Sequence, residues 1–275
     1  MRNTDIFDRR YEGVHIGAAW VSMIEPEPGH EGEFNRWYSD DHFYAGGMCL
    51  AGIFAGRRWV ATKELRELRH SSDEDLARYG CYLHTNLFDD DQLRGVNVAL
   101  STTLEHLGKE GRMYATEIPR RHIYTAITPY EGVVYRDSTA EGPRDIHALD
   151  YPFAGVVVEI IDAHHQHHRA ALLQWLRTKF IPKAISTSSA LMCLVFRHEH
   201  LPEIIKSPRL PPQHPTGKSR VVLLWFLERD PRPVWNTEFA DHPATVQESG
   251  MGNLVFAGPF IPTIPGSNRY VDELR

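Results

Sequence analysis

A lone histidine, His42, follows two aspartates, Asp40 and Asp41, within the stretch Glu33 to Arg58, EFNRWYSDDHFYAGGMCLAGIFAGRR. Imidazole titrates near neutrality, so a histidine in apolar surroundings can take up and return a proton. Phe34, Trp37, Tyr38 and then Asp41 or His42 recur at i, i+3, i+4 and i+7 or i+8. That spacing predicts an amphipathic helix with the aromatic residues and His42 on one face. Adjacent helical residues point about 100° apart, so only one of the two aspartates can orient the ring. Tyr38, one turn ahead of His42, is the candidate proton donor or oxyanion partner. The competing reading is a core helix whose histidine is satisfied by an interior hydrogen bond and whose tyrosine is plain packing.

A second set lies on segments of strand character. In Tyr79 to Phe88, YGCYLHTNLF, period-2 alternation puts Tyr82, His84, Asn86 and Phe88 on one face. In Val14 to Ile24, His15 shares a face with Gly17, Ala19 and Val21. Arg57 and Arg58 are adjacent on a third strand, so one faces a cavity and can hold a carboxylate or phenolate. The run AHHQHHR puts His164 and His168 at metal-capable i, i+4 spacing, but without an HExxH glutamate it reads as a solvated helix cap. His198 and His200, alternating after a strand, read as exposed.

Strands and helices must position these groups. Strand 14–24, the helix from Glu33, strand 53–61, strand 79–88, a helix from Asp89 to about Lys109 and strand 121–128 give the order βαββαβ, the ferredoxin-like split. After a Gly/Pro/Asp-containing stretch from Tyr130 to Asp150, the order returns: strand 153–161, helix 165–184, strand 190–196, strand 220–227, helix 234–249 and strand 253–261. Charged Lys63–Arg78 and Pro-rich Pro202–Lys218 interrupt the two units at the same place. The chain therefore divides into residues 1–129, a linker 130–150, and residues 151–275, an internal repeat. Two such α+β units can pack their apolar sheet faces together, within one chain or across a homodimer, and close a barrel-like cavity.

Composition narrows the function. A net charge of −6 with pI near 6.2 argues against a nucleic-acid binder. Cys49, Cys81 and Cys193 lie far apart, so neither a disulfide framework nor a zinc ribbon is indicated and a reducing cytoplasmic setting is expected. No signal peptide and no membrane-length apolar run is visible. Phosphate loops, GxSxG elbows and dinucleotide fingerprints do not occur.

The first half carries Pro26, Pro28, Gly29, Glu31, Glu33, Phe34, Asn35, Trp37, Tyr38, His42 and Phe43, then Gly52, Phe54, Arg57, Arg58 and Trp59. This pattern, over residues 14 to 128, resembles the dimeric α+β barrel superfamily and within it the ethyl-tert-butyl-ether-degradation (EthD-like) branch. The second half resembles the superfamily by element order only. The resemblance implies two tandem ferredoxin-like units packed as a dimeric α+β barrel. It admits cofactor-free cyclases, lactone isomerases, small monooxygenases, binding proteins and haem enzymes of the chlorite dismutase type. In olivetolic acid cyclase-like members, histidines of the first and third strands and an aromatic pair line the pocket, which points to His15 and to His84 with Tyr82. The HPAH-like segment of such members is unmatched in the first half, and His242-Pro243-Ala244-Thr245 lacks its second histidine.

Five residues after Trp37 comes His42, and five after Trp175 comes Phe180, so a working first half and a degenerate second half are expected. The expected catalytic set is His42, Tyr38 and His84. The expected substrate contacts are His15, Trp37, Arg58, Tyr82 and Asn86. The expected function is a cofactor-independent lyase, cyclase or isomerase acting on a small apolar, aromatic or polyketide-like carbonyl compound. No metal and no cofactor are expected, with haem as the minority alternative. A non-catalytic binder of hydrophobic ligands and a haem or cofactor-free oxygenase are the rival readings.

Overall fold

The computed structural model describes residues 13–90, 102–113, 119–136, 142–165, 168–199 and 219–275. The Pro202–Lys218 insertion, His167, His200 and the start of the second expected helix lie outside the described residues. The first unit comprises β1 (Ile16–Pro26), α1 (Glu31–Trp37), β2 (Ile53–Val60), α2 (Lys63–Glu67), β3 (His70–Ser71), α3 (Glu74–Arg78), β4 (Tyr82–Asp89), α4 (102–109) and β5 (Arg120–Tyr135). The second comprises β6 (Gly155–Ala163), α5 (Arg169–Trp175), α6 (Ile181–Ile185), β7 (Ala190–Arg197), β8 (Arg220–Leu227), α7 (Pro231–Glu238), α8 (His242–Glu248) and β9 (Gly252–Pro262).

The strands form one sheet in the order β2-β4-β1-β5-β7-β8-β6-β9-β3, and a further pairing of β2 with β9 closes it into a barrel. Each unit has the ferredoxin-like strand order, and the two join twice. β5 pairs with β1 through Arg120–Pro129 and then with β7 through Tyr130–Tyr135, while Trp59 and Val60 of β2 meet Pro262 and Ile261 of β9. The expected linker thus begins inside a strand. Its Gly132, read as a turn residue, sits at φ 130 where the register shifts, a backbone angle that only glycine adopts without strain. The pairing of units is made within one chain.

Register settles which side chains face where. Ala19, Val21 and Met23 of β1 stand opposite Leu87, Thr85 and Leu83 of β4, and their face points into the barrel. There they join Val156, Val158 and Ile160 of β6 and Leu194, Leu224 and Phe226 of β7 and β8 in one buried cluster. Apolar side chains of both units thus interdigitate across the barrel interior. Trp20, Ser22, His84, Asn86 and Arg58 alternate with these residues and face outward beneath α1. The charged Lys63–Arg78 insertion is two short helices capped by Thr62 and Asp73, with β3 laid along β9.

Candidate functional site

α1 does not end where its α geometry does. Tyr38–His42 and Tyr44–Met48 continue it as π-helical turns. Wider π turns re-aim side chains and recur at functional sites. Here they carry Tyr38, His42, Phe43 and the Gly46–Gly47 backbone across the outer face of β4 and β2. Tyr38 is buried and its Oη lies 2.8 Å from Nδ1 of His84 on β4, itself buried. His42 stacks on Trp37 at 4.6 Å and 21°, and meets Tyr38 edge-on at 5.1 Å. His122 of β5 joins them, its Nδ1 3.2 Å from Ser22 Oγ, and Trp20 donates to Thr125 Oγ1.

Two polar atoms here are buried without a hydrogen bond of good geometry, Nε2 of His84 and Oδ1 of Asn86, and the Asn86 side chain lies near enough to His84 to favour its charged form. They converge on Gly47, where an added Cβ would stand 3.5 Å from Asn86 Oδ1 and 3.8 Å from His84 Nε2. A buried polar atom without a hydrogen bond costs about 1–3 kcal/mol, so this pair marks a place prepared for another group. His42 Nδ1 is likewise buried and unbonded, although the ring as a whole is half-buried.

Burial disfavours the charged imidazolium, so the three histidines are held neutral. His84 is pushed down to about 3, by burial first and then by the Arg58 charge, with Asn86 pulling weakly the other way. His42 is pushed to about 3 by burial and then by Arg120, and His122 to about 4 by the same two causes. Burial raises the Tyr38 hydroxyl above its ordinary value, so it stays a phenol.

Tyr38, His84, Asn86, Trp37 and His42 come together as the spacing predicts. Tyr82 and Arg58 flank them: Arg58 stacks on Tyr38 at 4.7 Å and on Tyr82 at 5.2 Å, and Tyr82 Oη is another buried atom without a partner. His15 does not join. It precedes β1 and is exposed. Neither aspartate orients His42: Asp40 is exposed, and Asp41 pairs with Arg112.

Of the remaining histidine readings, that of His198 needs correction. His164 and His168 precede α5, so they form no i, i+4 pair. Among the described residues no three His, Cys, Asp or Glu side chains converge as a metal site would require. His198 is buried, with its Nδ1 2.7 Å from Tyr124 Oη. His242, noted in the sequence for a His-Pro-Ala-Thr run that lacks a second histidine, is buried with Nδ1 2.7 Å from Glu159, which also accepts from Trp225 Nε1 at 2.8 Å. The sequence signal for that contact was a glutamate at the centre of an apolar strand.

The second unit repeats the frame and changes the contents. Register shifts fall between Met23 and Ile24 of β1 and between Ile160 and Ile161 of β6, and also between Ile53 and Ala55 of β2 and between Ala190 and Met192 of β7. These irregularities align Ser22 with Glu159, His84 with Leu223, Asn86 with Trp225, Gly56 with Cys193 and Arg58 with Val195. α5 turns π-helical over Leu176–Phe180, and Trp175 stacks on Phe180 at 5.3 Å and 19° as Trp37 does on His42. Glu159 apart, hydrophobic side chains occupy the aligned positions that are polar in the first unit.

No family model matches the sequence, and no curated protein does. Among solved structures, a candidate monooxygenase from Fusobacterium nucleatum superposes with a TM-score of 0.51 over 91% of this chain and 94% of that one, at 10% identity. The chain has the dimeric α+β barrel fold. Its two ferredoxin-like units join β5 to β7 and β2 to β9 within the one chain. An anthrone oxidase-like protein (TM-score 0.49, 9% identity, 93% and 95% covered) and a chlorite dismutase from Candidatus Nitrospira defluvii (0.43, 10%, 94% and 94%) are more distant, and nothing is argued from them.

Haem, the minority expectation of the sequence, would need an axial histidine, and His84 is the candidate. Its Nε2 is unbonded and its Nδ1 is fixed, as an iron ligand requires. However, a Cβ on Gly47 would stand only 3.8 Å from that nitrogen, so the gap that the glycine backbone leaves over it admits the edge of a small molecule and not the breadth of a porphyrin. The equivalent second-unit position is Leu223. The described residues do not fit a haem.

Proposed function

We propose that this chain is a small-molecule enzyme that abstracts a proton beside a carbonyl, and that its reaction is oxygenation of an aromatic or polyketide-like compound without a bound cofactor. The observation that carries the reading is the convergence of His84 Nε2 and Asn86 Oδ1, both buried and unbonded, beside a His84 ring fixed by Tyr38. With Nδ1–H donated to Tyr38 Oη, the Nε2 lone pair is free to accept a proton. The C–H electron pair stays on the substrate as an enolate, whose oxygen can accept from Asn86 Nδ2 in place of that group's contact to Met48 Sδ at 3.4 Å. A base held to about 3 takes protons only from strongly activated carbon or phenolic acids, so the substrate is a 1,3-dicarbonyl or hydroxyaromatic ketone. Molecular oxygen then oxidises the carbanion; one oxygen atom enters the product as a carbonyl and the other leaves as water. His42, stacked on Trp37, forms the wall and a proton relay. The fold similarity to the candidate monooxygenase favours oxygenation over the lyase, cyclase or isomerase outcomes that begin with the same abstraction.

Solvent deuterium exchange at the activated carbon, run anaerobically and then in air with an oxygen electrode, tests this. Exchange with oxygen uptake that His84→Gln abolishes is the expected result. Exchange without uptake, with an isomerised or dehydrated product, would move the chain to the lyase or isomerase class. No exchange with any binding substrate would leave a ligand-binding protein.

A further inference from the structure

Arg58 is 6% exposed, and among the described residues no carboxylate lies within 4.0 Å of its guanidinium. Its Nη1 donates to Asn35 Oδ1 at 3.2 Å and to Ser39 Oγ, while Nη2 is buried and bonds nothing. A buried charge without a counter-charge is among the costlier arrangements in a protein. Arg58 lines a cavity of about 280 Å³ together with Arg57, Ser39, Phe43 and, from the end of β9 onward, Thr263 and Pro265. No acidic residue lines it. Arg57, the second cation, spends one nitrogen on the Tyr151 carbonyl and stacks on Trp59 at 4.5 Å.

The mouth has the opposite character. Only three large hydrophobic residues are exposed among the described residues, and two of them, Tyr44 at 49% and Ile264 at 50%, belong to the segments that frame this cavity. The inner wall is Gly56, where a Cβ would fall 2.4 Å from Asn86 Nδ2, and Phe43, which packs edge-on to His84 at 5.7 Å. The cavity therefore adjoins the proton-transfer cluster.

We propose that this cavity binds the carboxylate or phenolate of an amphipathic organic anion, with its charge on the Arg57–Arg58 pair and its apolar body against Phe43 and Tyr44. The proposal rests on the first unit being the active one, and it gives the second unit a part: the chain after β9 supplies the outer wall. The volume sits at the lower edge of small-ligand pockets, about 300–1,000 Å³, so the bound part is one or two rings in size.

Calorimetric titration with 2-naphthoate and with its uncharged counterpart 2-acetonaphthone tests the site without turnover. The expected result is that naphthoate binds about tenfold or more tightly than the ketone, the scale of a desolvated guanidinium–carboxylate fork. Arg58→Met should erase that preference. Thr263→Phe, which obstructs the cavity from the second unit and leaves Arg58 in place, should weaken naphthoate and serves if Arg58→Met does not fold. Equal binding of the two probes, no naphthoate binding at all, or naphthoate binding indifferent to Thr263→Phe would overturn the site. His84→Gln should bind naphthoate as the wild type does, so a failure of the proton-abstraction reading is distinguishable from a failure of this one.

Discussion

At the scale of single residues, His84 decides most. Its folded value is about 3, against an ordinary 6.5, because burial and Arg58 penalise the cation. Above pH 6.5 both folded and unfolded chains hold it neutral and it contributes no pH dependence. As the pH falls toward 3, the unfolded chain takes up a proton that the folded one refuses, so stability is lost across that window. Between pH 6.5 and 5 the loss should reach about 1.6 kcal/mol, a little under the full slope of about 1.36 kcal/mol per unit because the unfolded histidine is half protonated at pH 6.5. Urea midpoints at those two pH values should show wild type losing that much more than His84→Gln; equal losses would mean that His84 is solvated. Tyr38→Phe makes a second test. It strands Nδ1 of His84 in a dry site, at a cost of about 1–3 kcal/mol, and frees the ring to turn. The expected kinetic effect is a fall in kcat with little change in KM, because Tyr38 positions the base and does not hold the substrate.

At the scale of elements, the π turns after α1 bring the helix backbone onto the sheet, and glycines make that approach possible. A Cβ on Gly56 would lie 2.3 Å from Met48 Sδ and 2.4 Å from Asn86 Nδ2, and one on Gly46 would lie 2.7 Å from His42 Cε1. One on Gly47 would meet nothing nearer than 3.5 Å. Gly56→Ala should therefore cost about 1–3 kcal/mol by overpacking and displace Asn86, whereas Gly47→Ala should be tolerated thermally. Melting curves of the two variants give the contrast directly. Much of this element pattern was legible beforehand. Period-2 alternation placed Tyr82, His84 and Asn86 together, and helical spacing joined Trp37, Tyr38 and His42. The rest was not, for identifiable reasons. A π turn leaves no periodicity signature over five residues. The Glu159–His242 contact spans 83 positions, and pairing at that distance is set by sheet register, which local patterns do not report. Tyr130–Tyr135 read as linker because its glycine suggested a turn, while in the fold that glycine lets β5 change partners. His15 fell outside because β1 begins only at Ile16, and the register shift between Ile16 and Ala18 breaks the alternation that joined His15 to Ala19 and Val21.

At the scale of the whole molecule, one frame is used twice for two purposes. Matched register shifts and matched π turns hold Trp37–His42 and Trp175–Phe180 in the same place, yet Phe180 is closed in by Trp225 and His242, at 6.1 and 4.8 Å. The second copy has exchanged unbonded polar atoms for packing and for the saturated Glu159–His242–Trp225 network. Barrel closure through β5–β7 and β2–β9 then makes the stability of that copy available to the first, whose orphaned polar atoms and uncompensated Arg58 lower its own. Substitutions at the paired positions should separate the two roles. His42→Leu should lower kcat while leaving the melting temperature near that of the wild type, since it removes a half-buried ring with an unsatisfied nitrogen. Phe180→Leu should lower the stability of the whole chain by roughly 1 kcal/mol, seen in one cooperative transition, with kcat unchanged. Equal losses of activity from the two variants would mean that both copies work. Two separate melting transitions would mean that the closed sheet does not couple them, and the stability-lending role of the second copy would fall with it.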